Sequence, residues 1–207
     1  MTQATFLHTA HPGNKSVSGF CSNVPYCGVI HSLHHSLNNL PTGEKNFSFI
    51  DIQNLYQGIK ERGWKINWHL FRQYLHKKYN VVKAVVFIGF VKGNEWLYAH
   101  LRNAGFELSF KETRILKNGQ LDNGNCDCEL VSYALDAKSE YTKAVIVADD
   151  SDYLSTIQRL SRQNKLKLVI SSHLLSNTSQ QIKRNVSSDM LISIHSLRNQ
   201  ISIINKK

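Results

Sequence analysis

From Phe47 onward, apolar positions follow two alternating rhythms, short continuous or every-other-residue runs and longer stretches with a helical period. Phe47-Ser-Phe-Ile-Asp51 reads as a first strand, and a short helical stretch follows from Asn54. Trp68, Phe71, Tyr74 and Leu75 share one face of a second helix predicted from Asn67 to about Lys78, as a 3.6-residue period requires. Val81 to Val91 is almost wholly apolar, which predicts a strand covered on both faces. Residues 94 to 104 predict the helix that returns the chain, and Phe106 to Phe110 the next strand. A helix opening at Asp127 gathers Leu130, Val131, Ala134 and Leu135 on one side. Residues 143 to 148, 152 to 163 and 166 to 171 predict strand, helix and strand; a short strand near 190 to 194 and a closing helix over 195 to 204 complete the succession. Strands alternating with helices in this way define an α/β fold class built from βαβ units around a parallel sheet.

Residues 1 to 46 break the rhythm. They are rich in Ser, Asn, Gly and His, show no sustained period and end in Leu-Pro-Thr-Gly, so they are expected to form a poorly structured extension to a domain spanning 47 to 207. A total of 207 residues suits one well-buried core. Within the extension, Cys21, Cys27, His31, His34 and His35 form a group whose spacing misses the usual zinc patterns, which favours unstructured chain over an ordered zinc site. Lys111 to Asn125 is a long polar connector with Lys117-Asn-Gly and Asp122-Asn-Gly turns, a candidate functional loop.

Charge sharpens the picture. Lys and Arg number 25 against 15 Asp and Glu, a formal charge of +10, of which residues 1 to 46 carry only +1. That excess draws the domain toward nucleic acid or an acidic surface. No run approaches the roughly 18 apolar residues of a membrane span, and the N-terminus lacks a basic start followed by an apolar core, so the expectation is a cytoplasmic protein with no membrane partner. Four cysteines do not make a disulfide scaffold and read as reduced thiols.

Against this basic background, Asp51, Asp127, Asp150 and Asp152 sit where strands end or helices begin. Carboxylates at the carboxyl ends of parallel strands can converge, because open α/β sheets place their ligand crevice at that edge. Each acid alone is also explained by helix capping. Capping does not explain Asp149, Asp150 and Asp152 together, which crowd negative charge unless a cation or basic group is close. Asp127 lies between Cys126 and Cys128, but thiols two residues apart at a helix start do not share a face, so zinc there is disfavoured.

Taken in order, Phe49-Ile-Asp51-Ile-Gln-Asn54-Leu, Gly124-Asn-Cys-Asp127-Cys-Glu-Leu, Val147-Ala-Asp-Asp150-Ser-Asp152-Tyr153 and Ser188-Asp189-Met-Leu-Ile resemble the NYN domain family, including its LabA-like members, within the PIN-like nuclease superfamily. The resemblance covers about residues 47 to 195. It implies a three-layer α/β/α sandwich with a central, mostly parallel sheet, and an acidic pocket that binds Mg²⁺ or Mn²⁺ for RNA hydrolysis. It makes Asp51 the first-strand acid, Asn54 its partner, Asp127 the acid opening the middle helix, and Asp150 and Asp152 the late pair. On that reading Asp51, Asp127, Asp150 and Asp152 are metal ligands, and Asn54 orients a ligand or phosphate. The chain departs from the family where many relatives have Ser-Gly-Asp-Ser-Asp-Phe: Asp149 replaces the glycine, which either changes the turn or adds a ligand, and Tyr153 stands at the aromatic position.

Hard divalent cations prefer such oxygen ligands, keep several waters and can activate one of them, so the residue types suit metal-dependent RNA cleavage in their own right. The alternative is a catalytically weak or inactive RNA-binding or regulatory module, and either leaves a homo-oligomer open. Other acidic α/β enzymes fit less well. A haloacid-dehalogenase-type phosphatase usually places a second aspartate where Gln53 stands, a metal-ion adhesion motif would end in serine where Tyr153 stands, and no G-x-G-x-x-G turn follows the first strand. Lys77, Lys78, Lys92, Lys111, Arg159, Arg162, Lys165, Lys167, Lys183 and Arg184 can neutralise phosphates, and Trp64, Trp96 or Tyr98 can stack bases, but solvated helix faces and core aromatics are the favoured reading of each.

Overall fold

The computed structural model describes residues 43–112 and 126–203. The Cys21, Cys27, His31, His34 and His35 group and most of the polar connector lie outside them. Six strands, β1 (Asn46–Asp51), β2 (Val81–Phe90), β3 (Glu107–Glu112), β4 (Ala144–Val147), β5 (Leu166–Ser171) and β6 (Leu191–Ser193), form one sheet in the order β3-β2-β1-β4-β5-β6. Every neighbouring pair is parallel, so the sheet is parallel throughout.

Period-two alternation sends side chains of β1 to opposite faces. Ile50 joins Val86, Ile88, Val145, Val147 and Ile170 in a core covered by α1 (Ile52–Glu61), α2 (Trp68–Tyr79) and α3 (Glu95–Asn103). Phe47 and Phe49 join Val85, Phe87, Ile146 and Val169 in a second core beneath α4 (Asp127–Asp136), α5 (Leu154–Arg162) and α6 (Gln180–Asn185). The result is a three-layer α/β/α sandwich. Because the sheet is covered on both sides, all six residues of β1 are buried.

Local chemistry sets the helix boundaries. Asn67 caps α2, its side chain accepting from Leu70 N, and Asn80 ends it in the left-handed region that asparagine tolerates. Over the described part of 195 to 204, the expected closing helix is instead a 3-10 turn, Ile194–Leu197, and a single turn α7, Arg198–Ile201. Ser193 caps the 3-10 turn through His195 N, and β-branched Ile and Ser do little to extend a helix. Before it, α6 is a short helix that the polar text around Gln180 did not signal, holding on to the core through Ile182.

Gly58 of α1 allows the backbone after β5 to pass close by. A Cβ there would lie 2.0 Å from the carbonyl oxygen of Ser172, a backbone atom that cannot yield as a side-chain tip can. Gly58→Ala is expected to destabilise the domain by about 1–3 kcal/mol through overpacking, read as a lower midpoint in thermal or denaturant unfolding; an unchanged midpoint would show that the Ser172 loop relaxes at no cost.

Candidate active site

Strand order reverses direction between β1 and β4: the chain builds outward from β1 to β2 and β3, then returns to place β4 on the other side of β1. Such a switch point opens a crevice at the carboxyl ends of the two strands. Asp51 ends β1, and Asp149 and Asp150 follow β4 directly.

Asp51 falls two residues after Phe49 and therefore faces the α4 and α5 side of the sheet, where it meets Asp127, the first residue of α4. The junction is the hydroxyl of Tyr153, which donates to Asp51 Oδ2 at 2.9 Å and is also hydrogen-bonded to Asp127 Oδ1. Tyr153 is completely buried. Asp51 uses its other oxygen to cap α1, accepting from Asn54 N at 3.1 Å, so it serves both the helix and the site. Burial is the main force pushing the Asp51 carboxyl above its ordinary range, with the Asp127 charge adding to it, while the Asn54 N–H and the Tyr153 hydroxyl pull the other way. Tyr153 is held firmly in its protonated form by burial and by the charges of Asp51 and Asp127.

The late acids part company. Asp152 is exposed and shares with Asp127, Lys111, Cys128, Val131 and Ser155 the wall of an open cavity of about 400 Å³. Asp150 is exposed and turns Oδ1 toward the 3-10 turn Ser151–Tyr153, accepting from Asp152 N at 3.2 Å and Ser151 Oγ at 3.3 Å. Asp149 is buried, and its Oδ2 accepts from Ser171 Oγ at 2.6 Å, His173 N at 3.1 Å and His173 Nδ1 at 2.9 Å. Three donors on one oxygen make Asp149 a strut between the ends of β4 and β5, which accounts for an acid where a glycine was expected. The crowding of three acids is thus relieved by pointing one inward.

Among the neighbouring groups, Cys126 is buried and Cys128 exposed, so the two thiols face apart; burial pushes the Cys126 thiol up to about 11. Lys111 pairs with Glu129 at 3.2 Å beside the cavity. Trp64 is buried and donates to His195 Nδ1, and Tyr98 is buried with its hydroxyl on the backbone of Gly89 and Val91, so both are core aromatics, whereas Trp96 is exposed. Tyr153 is the participant that residue reading missed. The signal available was its polar tip at an aromatic position three residues after Asp150.

Among the described residues, no three His, Cys, Asp or Glu side chains stand close enough together to hold a metal by themselves. The oxygen set nevertheless fits a hydrated Mg²⁺ or Mn²⁺, which needs only one or two carboxylates and keeps its remaining waters. Asn54 Oδ1, one turn into α1 from Asp51, supports that fit as a buried acceptor without a hydrogen-bond partner.

An all-parallel sandwich with paired carboxylates at its switch point is an architecture of PIN-like type. The NYN domain profile matches residues 48–193, more than two thirds of the chain, and the chain belongs to the NYN domain family of the PIN-like nuclease superfamily. Among solved structures it is similar to a Vibrio parahaemolyticus protein of unknown function, 19% identical, with a TM-score of 0.62 over 79% of this chain and 99% of that one, a likeness of fold. No curated protein matches the chain. Among the described residues no helix is long and apolar enough to cross a membrane.

Two consequences follow for stability. Because Asp51 binds its proton more tightly folded than unfolded, wild-type stability without divalent cations should fall as pH rises through the raised folded value. Asp51→Asn should remove that slope and be at least as stable as wild type at neutral pH, the advantage shrinking as pH falls; denaturant unfolding across the carboxylate range checks it, and an unchanged slope would refute it. Asp149→Ala, by contrast, should lose about 2–4 kcal/mol by stranding buried donors, measured by the same unfolding at neutral pH.

Proposed function

We propose that this NYN domain is a metal-dependent ribonuclease that hydrolyses RNA phosphodiester bonds, with residues 47–207 as the catalytic domain and residues 1–46 as an extension. The observation that carries this reading is the meeting of Asp51 and Asp127, from the end of β1 and the start of α4, on one side of the switch-point crevice. Asp51 and Asp127 would hold Mg²⁺ or Mn²⁺, with Asp152 and Asp150 completing its shell directly or through water. When bound, the cation lowers the pKa of a water and offsets charge growing on the phosphate. Asn54 orients a ligand or phosphate through its side-chain amide, and Asp152 positions water at the open side of the cavity. The net charge of +10 draws the polyanion toward the domain.

A second reading, an RNA-binding or regulatory module without turnover, is favoured by one feature: the Tyr153 hydroxyl already stands hydrogen-bonded to both Asp51 and Asp127. The two separate cleanly in an assay of purified protein on single-stranded and structured RNA with Mn²⁺ or Mg²⁺. Cleavage is expected, lost on chelation and reduced by at least about a hundredfold in Asp127→Asn, the scale of removing one preorganised electrostatic group. RNA binding that persists in Asp127→Asn, with no metal-dependent product from either protein, would instead establish the regulatory reading.

A further inference from the structure

We infer that Tyr153 is a positioning residue that gates cation entry, its hydroxyl held between the Asp51 and Asp127 carboxylates that would bind a divalent cation. The inference rests on the proposal that these two carboxylates are metal ligands.

The geometry is specific. Tyr153 is completely buried, and its hydroxyl meets Asp51 Oδ2 at 2.9 Å and Asp127 Oδ1 on the other side. A phenol has one hydrogen, so it can donate fully to only one of two carboxylates. The hydroxyl therefore serves the two carboxylates unequally. A divalent cation can satisfy both oxygens at once, whereas a neutral phenol is a poor substitute for one of its waters or carboxylates.

The ring cannot simply withdraw to solvent, because it packs in the same core as Ile157, Leu160 and Phe49. Its backbone, however, closes the 3-10 turn Ser151–Tyr153, a single turn held at its start by Asp150 Oδ1. Movement of that turn shifts the hydroxyl relative to the carboxylates and also moves Asp152, which lines the cavity with Asp127. Cation entry and the placement of Asp152 are thereby coupled through one short segment. Tyr153 acts through Asp51 and Asp127, and a phenylalanine would fill the same core volume without occupying the junction.

Mn²⁺ binding to the full chain, followed by electron paramagnetic resonance of the free ion and by calorimetry, tests this. Tyr153→Phe should bind Mn²⁺ at least about tenfold more tightly than wild type, since a hydrogen bond to a charged group no longer competes. Asp127→Asn should lose most binding in either background. As a readout that a merely structural role would not move, Mn²⁺ should perturb tyrosine ultraviolet absorption in wild type, and the perturbation should be missing in Tyr153→Phe. Circular dichroism establishes that the variant is folded; if it is not, Tyr153→Leu and the wild-type absorption change carry the same comparison. Equal or weaker Mn²⁺ affinity in folded Tyr153→Phe overturns the gate while leaving the metal reading intact. Absence of binding in wild type and variant alike overturns both, and so distinguishes the two failures.

Discussion

The site is organised by the position of β1 in the middle of a parallel sheet covered on both faces. Every residue of that strand is buried, so the carboxylate at its end must be accommodated at the rim of two hydrophobic cores. The switch in strand order makes this rim a crevice and opposes to it the start of α4 and the turn before α5. Topology chooses which three chain segments meet. Alternation along β1 then chooses the face, because Asp51 shares the side of Phe47 and Phe49.

Two buried aspartates at adjacent strand ends show different solutions to the same desolvation cost. Asp149 receives a hydroxyl, a backbone N–H and an imidazole nitrogen on a single oxygen, and His173 in turn approaches Glu61 at 3.7 Å. Asp51 receives the backbone N–H groups of Asn54 and Gln53 and a phenol whose other neighbour is a second carboxylate. The first arrangement is saturated and ties β4 to β5. The second sets two carboxylates on one hydroxyl at a buried strand end, where burial and the neighbouring charge both favour the protonated form of Asp51. Burial alone would not have distinguished the two residues; the second carboxylate sharing the Tyr153 hydroxyl with Asp51 does.

Much of the fold was legible because its strands are continuous apolar runs and its long helices have clear faces. The boundaries read for β2, α2 and β5 lie within a residue or so of those observed, since Asn67, Asn80 and the apolar-to-polar changes mark them chemically. The terminal segment was less legible, for Ser193 redirects the backbone before a helix can propagate. Within the candidate site, the ordered acids lie at the carboxyl edge of β1 and β4, but sequence spacing could not say which oxygen faces which cavity. The split among Asp149, Asp150 and Asp152 arises from the turn of backbone leaving β4, and the role of Tyr153 from a contact spanning 102 residues, neither of which a local pattern encodes.

The distribution of basic groups constrains how a polyanion could be recognised. Lys165 spends its ammonium on the carbonyls of Lys138 and Tyr141, Lys167 pairs with Glu44, and Lys183 reaches the carbonyls of Leu175 and Ser176. Lys83 and Lys111 pair with Glu107 and Glu129. Such lysines keep their charge while losing the freedom to follow a phosphate, so they contribute to the field around the domain more than to a mobile clamp. A field of this kind attracts a polyanion without reading its sequence and weakens as salt shortens its range. Discrimination among phosphodiesters would then fall to the crevice itself, where Asp127 and Asp152 share an open cavity with Lys111 and Ser155. There the negative charge proposed to hold a cation would repel a bare phosphate, so on that reading the approach of substrate and the presence of the cation would form a single electrostatic requirement.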